Sequence, residues 1–281
     1  MVSFEGLSHE WLVKFIEHRI ADRRVVRLIQ KWLKAGVLED GKRIRTEEGT
    51  PQGGSASPLL ANVYLHYVFD LWVQAWRRRH AHGDLIVVRY ADDIVVGFNS
   101  KADADQFRAE LTERMRKFNL ELHPEKTRLL EFGPFAINNR LKRGEGKPET
   151  FNFLGFAHIC VKKRSNGMYT VLRQTIRKRL QAKLNEVKAD LQRRMHDPIP
   201  EVGKWLQAVV RGHNRYYGVP MNRPALHILW FQVGRLWHRA LSRRSQNGRV
   251  RWDRMRRLIT RWLPLPTVCH PYPLRRMGVI T

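Results

Sequence analysis

The stretch that most constrains the fold is residues 84–98, which read DLIVVRYADDIVVGF. Two runs of β-branched residues flank Tyr90-Ala91-Asp92-Asp93, and this pattern predicts a tight antiparallel hairpin with carboxylates at its tip. Adjacent side chains on a regular strand point to opposite faces, so both aspartates can approach one site only if the chain turns there. Such a tip could hold a divalent cation and phosphates, but an Asp-Asp pair is also a common surface turn. On the tetrad alone, both interpretations stay open.

A glycine-rich segment lies upstream, where residues 49–62 read GTPQGGSASPLLAN. Glycines let a backbone approach a flat ligand closely, and Gln52 could form hydrogen bonds inside a pocket. Pro58 can open a helix at its first turn, and the start of a helix favours anions. Taken alone, the segment could also be an ordinary surface loop.

Charge is distributed very unevenly along the 281 residues. The net charge is +26 in total, of which residues 1–160 contribute +4 and residues 161–281 contribute +22. An excess of this size predicts a polyanionic partner, and the basic half is expected to bind RNA or DNA. No apolar run approaches the roughly 18 residues of a membrane span, so no membrane partner is expected. The two cysteines, Cys160 and Cys269, are interpreted as small packing residues in a reducing cytoplasm.

Periodicity predicts helices on both sides of this change in charge. In the first half they are Leu12–Ala35, Pro58–Arg79 and Ala102–Asn119. In the second half, Ile176, Leu180, Leu184, Val187 and Leu191 define one helical face, and further helices are expected at Val202–Tyr217, Ala225–Ser242 and Arg251–Trp262. Asn138–Thr150 is interpreted as an exposed loop and Phe151–Val161 as a strand. A helical bundle with a solvated basic face is the plain alternative to nucleic-acid binding.

Together, GTPQGGSASPLLAN and RYADD closely resemble the corresponding motifs of reverse transcriptases encoded by bacterial group II introns. Residues 120–127, LELHPEKT, resemble the next motif of that family, and residues 151–156, FNFLGF, resemble the element that supports the primer end. Residues 213–218, HNRYYG, and residues 270–273, HPYP, resemble the thumb or maturase region. The resemblance extends over essentially the whole chain.

The resemblance implies an α+β fold, with a partial polymerase palm (an antiparallel sheet with packed helices) at residues 1–160. An all-helical, basic thumb or maturase domain is expected at residues 161–281. The implied function is RNA-directed DNA synthesis by two-metal nucleotidyl transfer with Mg²⁺, together with binding and splicing of intron RNA. The implied partners are intron RNA, an RNA template, a DNA primer or target and deoxynucleoside triphosphates. The expected location is the cytoplasm, and the sequence does not indicate an oligomeric state.

The resemblance also assigns roles to individual residues. Asp92 and Asp93 are expected to be the catalytic metal ligands. Contacts with the incoming nucleotide or template are expected from Phe4, Pro51, Gln52, Gly53 and Lys126. Contacts with the primer are expected from Tyr90, Ala91, Phe153, Leu154 and Gly155. The charge pattern assigns RNA binding to Arg177, Lys178 and Arg179, and leaves Arg89 either as a phosphate contact or as a rim charge.

The amino terminus departs from the family pattern. Residues 4–12 match only the tail of a motif whose metal-binding aspartate would lie just before Met1. The chain is therefore expected to resemble an N-terminally truncated member without fingers and first catalytic aspartate, and to synthesise little DNA by itself. Three hypotheses remain: an incomplete polymerase, a truncated RNA-binding maturase remnant without polymerase activity, and a decayed copy.

Overall fold

The computed structural model describes residues 2–3, 7–34, 37–39, 42–44, 56–163, 166–244 and 250–271. The chain divides into two compact units, Met1–Leu130 and Glu131–Thr281. Within the described residues, every paired strand is antiparallel. The mixed helix-and-strand class that the sequence predicts is confirmed.

The first unit alternates helices with short strands. Its elements are β1 (Val2–Ser3), α1 (His9–Glu17), α2 (Arg23–Lys34), β2 (Val37–Glu39), β3 (Lys42–Ile44), α3 (Ser57–Leu65), a π turn (His66–Asp70), α4 (Leu71–Arg79), β4 (Leu85–Tyr90), β5 (Asp93–Phe98), α5 (Lys101–Lys117) and β6 (Glu121–Leu122). They form three two-stranded pairs, β1 with β6, β2 with β3 and β4 with β5.

Two helices of this unit differ from the sequence prediction. The single helix expected at Leu12–Ala35 is wrong, because α1 ends at Glu17 and α2 begins at Arg23. Asp22 starts the second helix, since its carboxylate accepts a hydrogen bond from the Arg24 backbone N–H at 2.8 Å. The helix expected at Pro58–Arg79 is present but contains the π turn, which inserts one extra residue between α3 and α4.

The core of the first unit is aromatic and lies beneath the hairpin formed by β4 and β5. Trp76 and Phe69 of the continuous helical segment are almost fully buried, as is Tyr64. The Tyr64 hydroxyl donates to the Phe118 carbonyl oxygen at 2.7 Å, and burial raises the pKa of this phenol. The Trp76 ring packs edge-on against Phe107 with centroids 5.0 Å apart. This core gives the hairpin a rigid base.

The second unit combines a three-stranded sheet with a helical bundle. Its elements are α6 (Ala136–Lys142), β7 (Phe151–Phe153), β8 (Phe156–Lys162), β9 (Tyr169–Thr175), α7 (Arg177–Arg193), α8 (Ile199–Tyr217), α9 (Arg223–Ser242) and α10 (Trp252–Trp262). The sheet has the order β7-β8-β9. The bundle buries Leu184, Val187, Leu206, Val233 and Trp237, and the buried face of α7 predicted from the sequence is confirmed at Leu180, Leu184, Val187 and Leu191.

Three details of this unit add to or differ from the sequence analysis. The helical domain expected in the second half is present, and the compact unit that contains it begins at Glu131 and includes the strand β9, which continues directly into α7. The expected loop at Asn138–Thr150 begins inside α6, which Glu131 supports through an ion pair with Arg143. The expected strand Phe151–Val161 is a hairpin that turns at residues 154–155.

The interpretation of the cysteines is half correct. Cys160 is buried, whereas Cys269 is exposed and so is not a packing residue. Cys269 lies in the segment after α10, where its backbone N–H donates to the Gly218 carbonyl oxygen at 2.7 Å. Among the described helices, none has the length and apolar character that crossing a membrane requires.

Candidate active site and nucleic-acid surface

The β4–β5 hairpin turns at the residues that the sequence singles out. Tyr90 pairs with Asp93, so Ala91 and Asp92 form a two-residue turn. Ala91 has a φ of 51°, and a positive φ at the first turn position matches the right-handed twist of two-residue hairpins. The chain therefore bends between the strands at Asp92, which is the condition that the sequence analysis set for two adjacent aspartates to serve one site.

The two faces of β4 differ sharply in exposure. Leu85 is buried against the aromatic core, whereas the side chains of Ile86, Val88 and Tyr90 are 66%, 45% and 65% exposed. This alternation follows from the two-residue repeat of a strand. The hairpin thus has one anchored face and one open apolar face, and the open face ends at Tyr90 beside the turn.

The carboxylates at the tip fit a hard divalent cation. Among the described residues, the side chains of Asp92 and Asp93 have no hydrogen-bond or ion-pair partner, Asp92 is half-buried and Asp93 is exposed. Carboxylate oxygens are the ligands that Mg²⁺ prefers, and it usually binds one or two of them together with substrate phosphates and water. In the described ranges, no group of three or more His, Cys, Asp or Glu side chains could hold a metal ion. Two aspartates would therefore need further oxygen ligands from the nucleotide or from other residues.

The other residues expected near a nucleotide are only partly within the described ranges. Phe4, Pro51, Gln52 and Gly53 lie outside them. Immediately after the glycine-rich segment, α3 starts at Ser57, and its N-cap Ala56 has no side-chain oxygen with which to cap the helix. Lys126 is exposed in a turn after β6, where its backbone N–H donates to the His123 carbonyl oxygen at 3.2 Å. Like the β4–β5 hairpin, Lys126 belongs to the first compact unit.

The residues expected at the primer end form a strained turn in the second unit. Leu154 and Gly155 connect β7 to β8, with φ values of 47° and 78°. A leucine in this left-handed region costs about 1–3 kcal/mol, so surrounding contacts must hold it there. The Tyr216 hydroxyl donates to the Leu154 carbonyl oxygen at 3.0 Å. A Cβ atom at Gly155 would come within 2.8 Å of the Tyr217 hydroxyl oxygen.

The end of α8 therefore holds this turn, which sequence reasoning did not foresee. Only the HNRYYG motif pointed to these tyrosines, and it gave no indication of their contact with residues 154–155. Nearby, His213 is buried and its Nε2 atom has no partner among the described residues. Burial, with a smaller contribution from Lys183, lowers the pKa of His213 to about 4. His213 is therefore neutral at pH 7 and packs with Tyr217 as part of an aromatic cluster.

Three expected RNA contacts lie together in the first turn of α7. Arg177, Lys178 and Arg179 are all exposed, while the opposite face of the helix is buried. The N-cap is Ile176, which makes no side-chain capping bond, and the first turn contains no acidic residue. Cations at the positive end of a helix dipole disfavour the helix slightly, so an anion bound there would relieve the unfavourable charge.

Comparisons with known proteins give one family model and several relatives that match this chain. The family model described as reverse transcriptase (RNA-dependent DNA polymerase) matches residues 3–158. Group II intron-encoded protein LtrA of Lactococcus lactis subsp. cremoris is 49% identical over 63 residues, which cover 22% of this chain and 10% of that protein. An uncharacterized 91 kDa protein in the cob intron of Schizosaccharomyces pombe is 25% identical over 282 residues, covering 78% of this chain and 34% of that protein. Protein YkfC of Escherichia coli is 30% identical over 171 residues, covering 50% of this chain and 44% of that protein. The matched segments thus span less than half of each relative.

Proposed function

Because this chain belongs to the reverse transcriptase family, we propose that its β4–β5 hairpin carries part of the catalytic centre of an RNA-directed DNA polymerase of the group II intron type. The observation that carries the proposal is the hairpin tip, where two aspartates without partners among the described residues follow an exposed tyrosine on an anchored sheet. The reverse transcriptase family uses divalent metal ions. In this chain, Asp92 and Asp93 would hold Mg²⁺.

When bound, Mg²⁺ supplies electrostatic stabilisation of the charge that develops on the attacking and leaving oxygens. The protein residues supply position and charge around it. Tyr90 and Ala91 would contact the primer end from the open face of β4, and Lys126 would place a positive charge beside the departing pyrophosphate. Gln52, with Pro51, Gly53 and Phe4, would contact the incoming nucleotide and its template base. Phe153, Leu154 and Gly155 would support the primer from the turn that Tyr216 holds.

The second part of the proposal is RNA binding by the helical part of the second unit. Support comes from the net charge of +22 after residue 160 and from the exposed, uncapped basic turn of α7. A group II intron relative suggests intron RNA as the ligand, and the site of action would be the cytoplasm. The alternative is an RNA-binding maturase without polymerase activity. RNA binding by the basic helices does not require the carboxylates of Asp92 and Asp93.

Primer extension separates these two functions. The test uses an extended chain, defined as residues 1–281 preceded by the fingers segment and catalytic aspartate of a full-length relative. We expect Mg²⁺-dependent DNA synthesis by the extended chain on an RNA template, because both clusters of metal ligands are then present. The measurement is the rate of primer extension with and without Mg²⁺.

The unextended 281-residue chain is the matched control, and we expect it to extend the primer only negligibly. If the extended chain binds template and primer but makes no DNA at any Mg²⁺ concentration, the polymerase assignment fails. The maturase without polymerase activity is then favoured.

A further inference from the structure

Arg89 occupies the last position but one of β4, directly before Tyr90. Its Nε and Nη2 atoms donate to the two carboxylate oxygens of Asp70 at 2.8 and 2.6 Å. Its Nη1 atom donates to the Asn62 side-chain oxygen at 2.8 Å and to the Ala91 carbonyl oxygen at 3.3 Å. The side chains of Arg89 and Asp70 are only 17% and 28% exposed.

These contacts argue against both roles that the sequence left open for Arg89, a phosphate contact and a rim charge. A guanidinium has five N–H donors, and here four hydrogen bonds within the protein engage all but one of them. A phosphate ligand would therefore have to displace a bidentate carboxylate, which is among the strongest partners of arginine. A rim charge would be exposed, and Arg89 is not.

The guanidinium joins the β4–β5 turn to two parts of the helical segment, α3 and the π turn, which lie 27 and 19 residues earlier in the chain. Asn62 lies in the helix that follows the glycine-rich segment, and its Nδ2 atom donates to the Pro58 carbonyl oxygen at 2.9 Å. Asp70 is the last residue of the π turn, where the Leu71 N–H bonds to the His66 carbonyl oxygen five residues earlier. A π turn is rare and recurs at functional sites, since the extra residue turns the following positions by about 100°.

The third element is the turn that carries Asp92. Ala91 has a positive φ, which costs a non-glycine residue about 1–3 kcal/mol unless its surroundings hold it. The Ala91 carbonyl oxygen accepts a hydrogen bond from Arg89, so the guanidinium fixes the residue immediately before Asp92. The Asp70 carboxylate in turn holds the guanidinium in place with two hydrogen bonds.

We propose that Arg89 is a positioning residue, which locks the β4–β5 hairpin to the helical segment that follows the glycine-rich segment, through its bonds to Asp70 and Asn62. We call the hydrogen bonds of Arg89 with Asp70, Asn62 and Ala91 the lock. Its effect on catalysis rests on the proposed polymerase function, but the lock itself is a property of the fold. No contact between Arg89 and substrate is involved.

The test replaces Arg89 by lysine, which keeps the charge but cannot bridge both Asp70 oxygens and Asn62. In the extended chain, we expect Arg89→Lys to lower kcat by about 10- to 100-fold, as loss of a group that orients a metal ligand does. The KM for nucleotide and the Kd for template–primer should change by less than about threefold, because no substrate contact is lost. Asp70→Asn should have a similar effect, and the double variant should lose no more than the worse single variant, because both remove one interaction.

The matched control is Arg77→Lys. Arg77 donates from Nη2 to the Leu85 carbonyl oxygen at 3.0 Å, at the opposite end of β4 from the tip. The Arg77→Lys variant makes the same chemical change at an arginine that contacts the same strand away from the tip, so we expect parental kcat. All variants must keep the thermal unfolding temperature within a few degrees of the parent. If Arg89→Lys is less stable than this limit, Asp70→Asn replaces it in the test.

Amide hydrogen exchange in the unextended 281-residue chain tests the lock independently of DNA synthesis. Arg89→Lys should speed exchange of the amides at residues 90–93 at least about tenfold, with no change in β7–β9. If the extended parent makes no DNA but exchange rises as expected, the lock stands and the polymerase assignment fails. Parental exchange at the tip, or a raised Kd for template–primer with parental kcat, would show that Arg89 is a phosphate contact and overturn the proposal.

Discussion

Replacing Asp92 by alanine in the extended chain should reduce Mg²⁺-dependent DNA synthesis by at least about 10³-fold. The reason is that a metal ligand stabilises charge that forms only in the transition state, and Asp93 alone would leave the proposed ion with one fewer carboxylate. Asp93→Ala should be severely impaired as well, and Gln52→Ala should chiefly raise the nucleotide concentration needed. The measurement is the single-turnover rate of primer extension at saturating template and nucleotide.

Asp105→Ala provides the matched control for this loss. Asp105 is a half-exposed carboxylate of α5 that pairs with Arg108 at 3.6 Å, so its removal takes one charge from the same unit. We expect parental synthesis from it. Thermal unfolding and RNA affinity of every variant must match the extended parent, because a misfolded palm would also be inactive. Parental rates from Asp92→Ala would show that the two-metal assignment is wrong.

Binding of structured RNA by the full 281-residue chain should weaken by about 10³-fold between 50 and 200 mM salt. The cause is release of counterions when the basic second unit neutralises phosphates, and the net charge of +22 after residue 160 provides the cations. Replacing Arg177, Lys178 and Arg179 by alanine should weaken binding and reduce the slope of log K against log[salt] by about two to three. The measurement is a titration of labelled RNA at several salt concentrations.

The control removes the same charge from the start of another helix. Arg23, Arg24 and Arg27 are exposed in the first turns of α2, in the nearly neutral half of the chain. Their replacement by alanine should change the slope by less than about one. Equal losses from both triple variants would mean that RNA responds only to net charge, and salt-independent binding would remove the proposed RNA surface.

Much of the local structure follows from short-range patterns. The β4–β5 hairpin, α5 and α7 occur where two-residue and 3.6-residue periodicities predict them, because burial of one face dominates their stability. The break between α1 and α2 was not predicted, because the apolar stripe continues across it. Asp22 caps the start of α2 through its carboxylate, so a new helix begins there. Periodicity reports which face is buried, but a single capping residue decides where a helix begins.

The contacts that position the site could not be predicted in this way. Arg89 and Asp70 are 19 residues apart, and Tyr216 and Leu154 are 62 residues apart. Each pair joins elements whose own patterns carry no information about the partner. The motifs located Asp92 and Leu154, and the resemblance supplied the roles that are proposed for them. The hydrogen bonds that hold both turns are visible only in the folded chain.

The most direct test of the metal site is cleavage of the 281-residue chain by Fe²⁺ in place of Mg²⁺. With ascorbate and peroxide, in the presence of template–primer and a nucleoside triphosphate, bound Fe²⁺ generates radicals that cut the nearby backbone. We predict cuts centred on residues 90–93 that excess Mg²⁺ suppresses and that Asp92→Ala abolishes, while Asp105→Ala retains them. Cuts that persist unchanged in Asp92→Ala, or that never occur at the hairpin tip, would contradict the claim that this tip holds the catalytic metal.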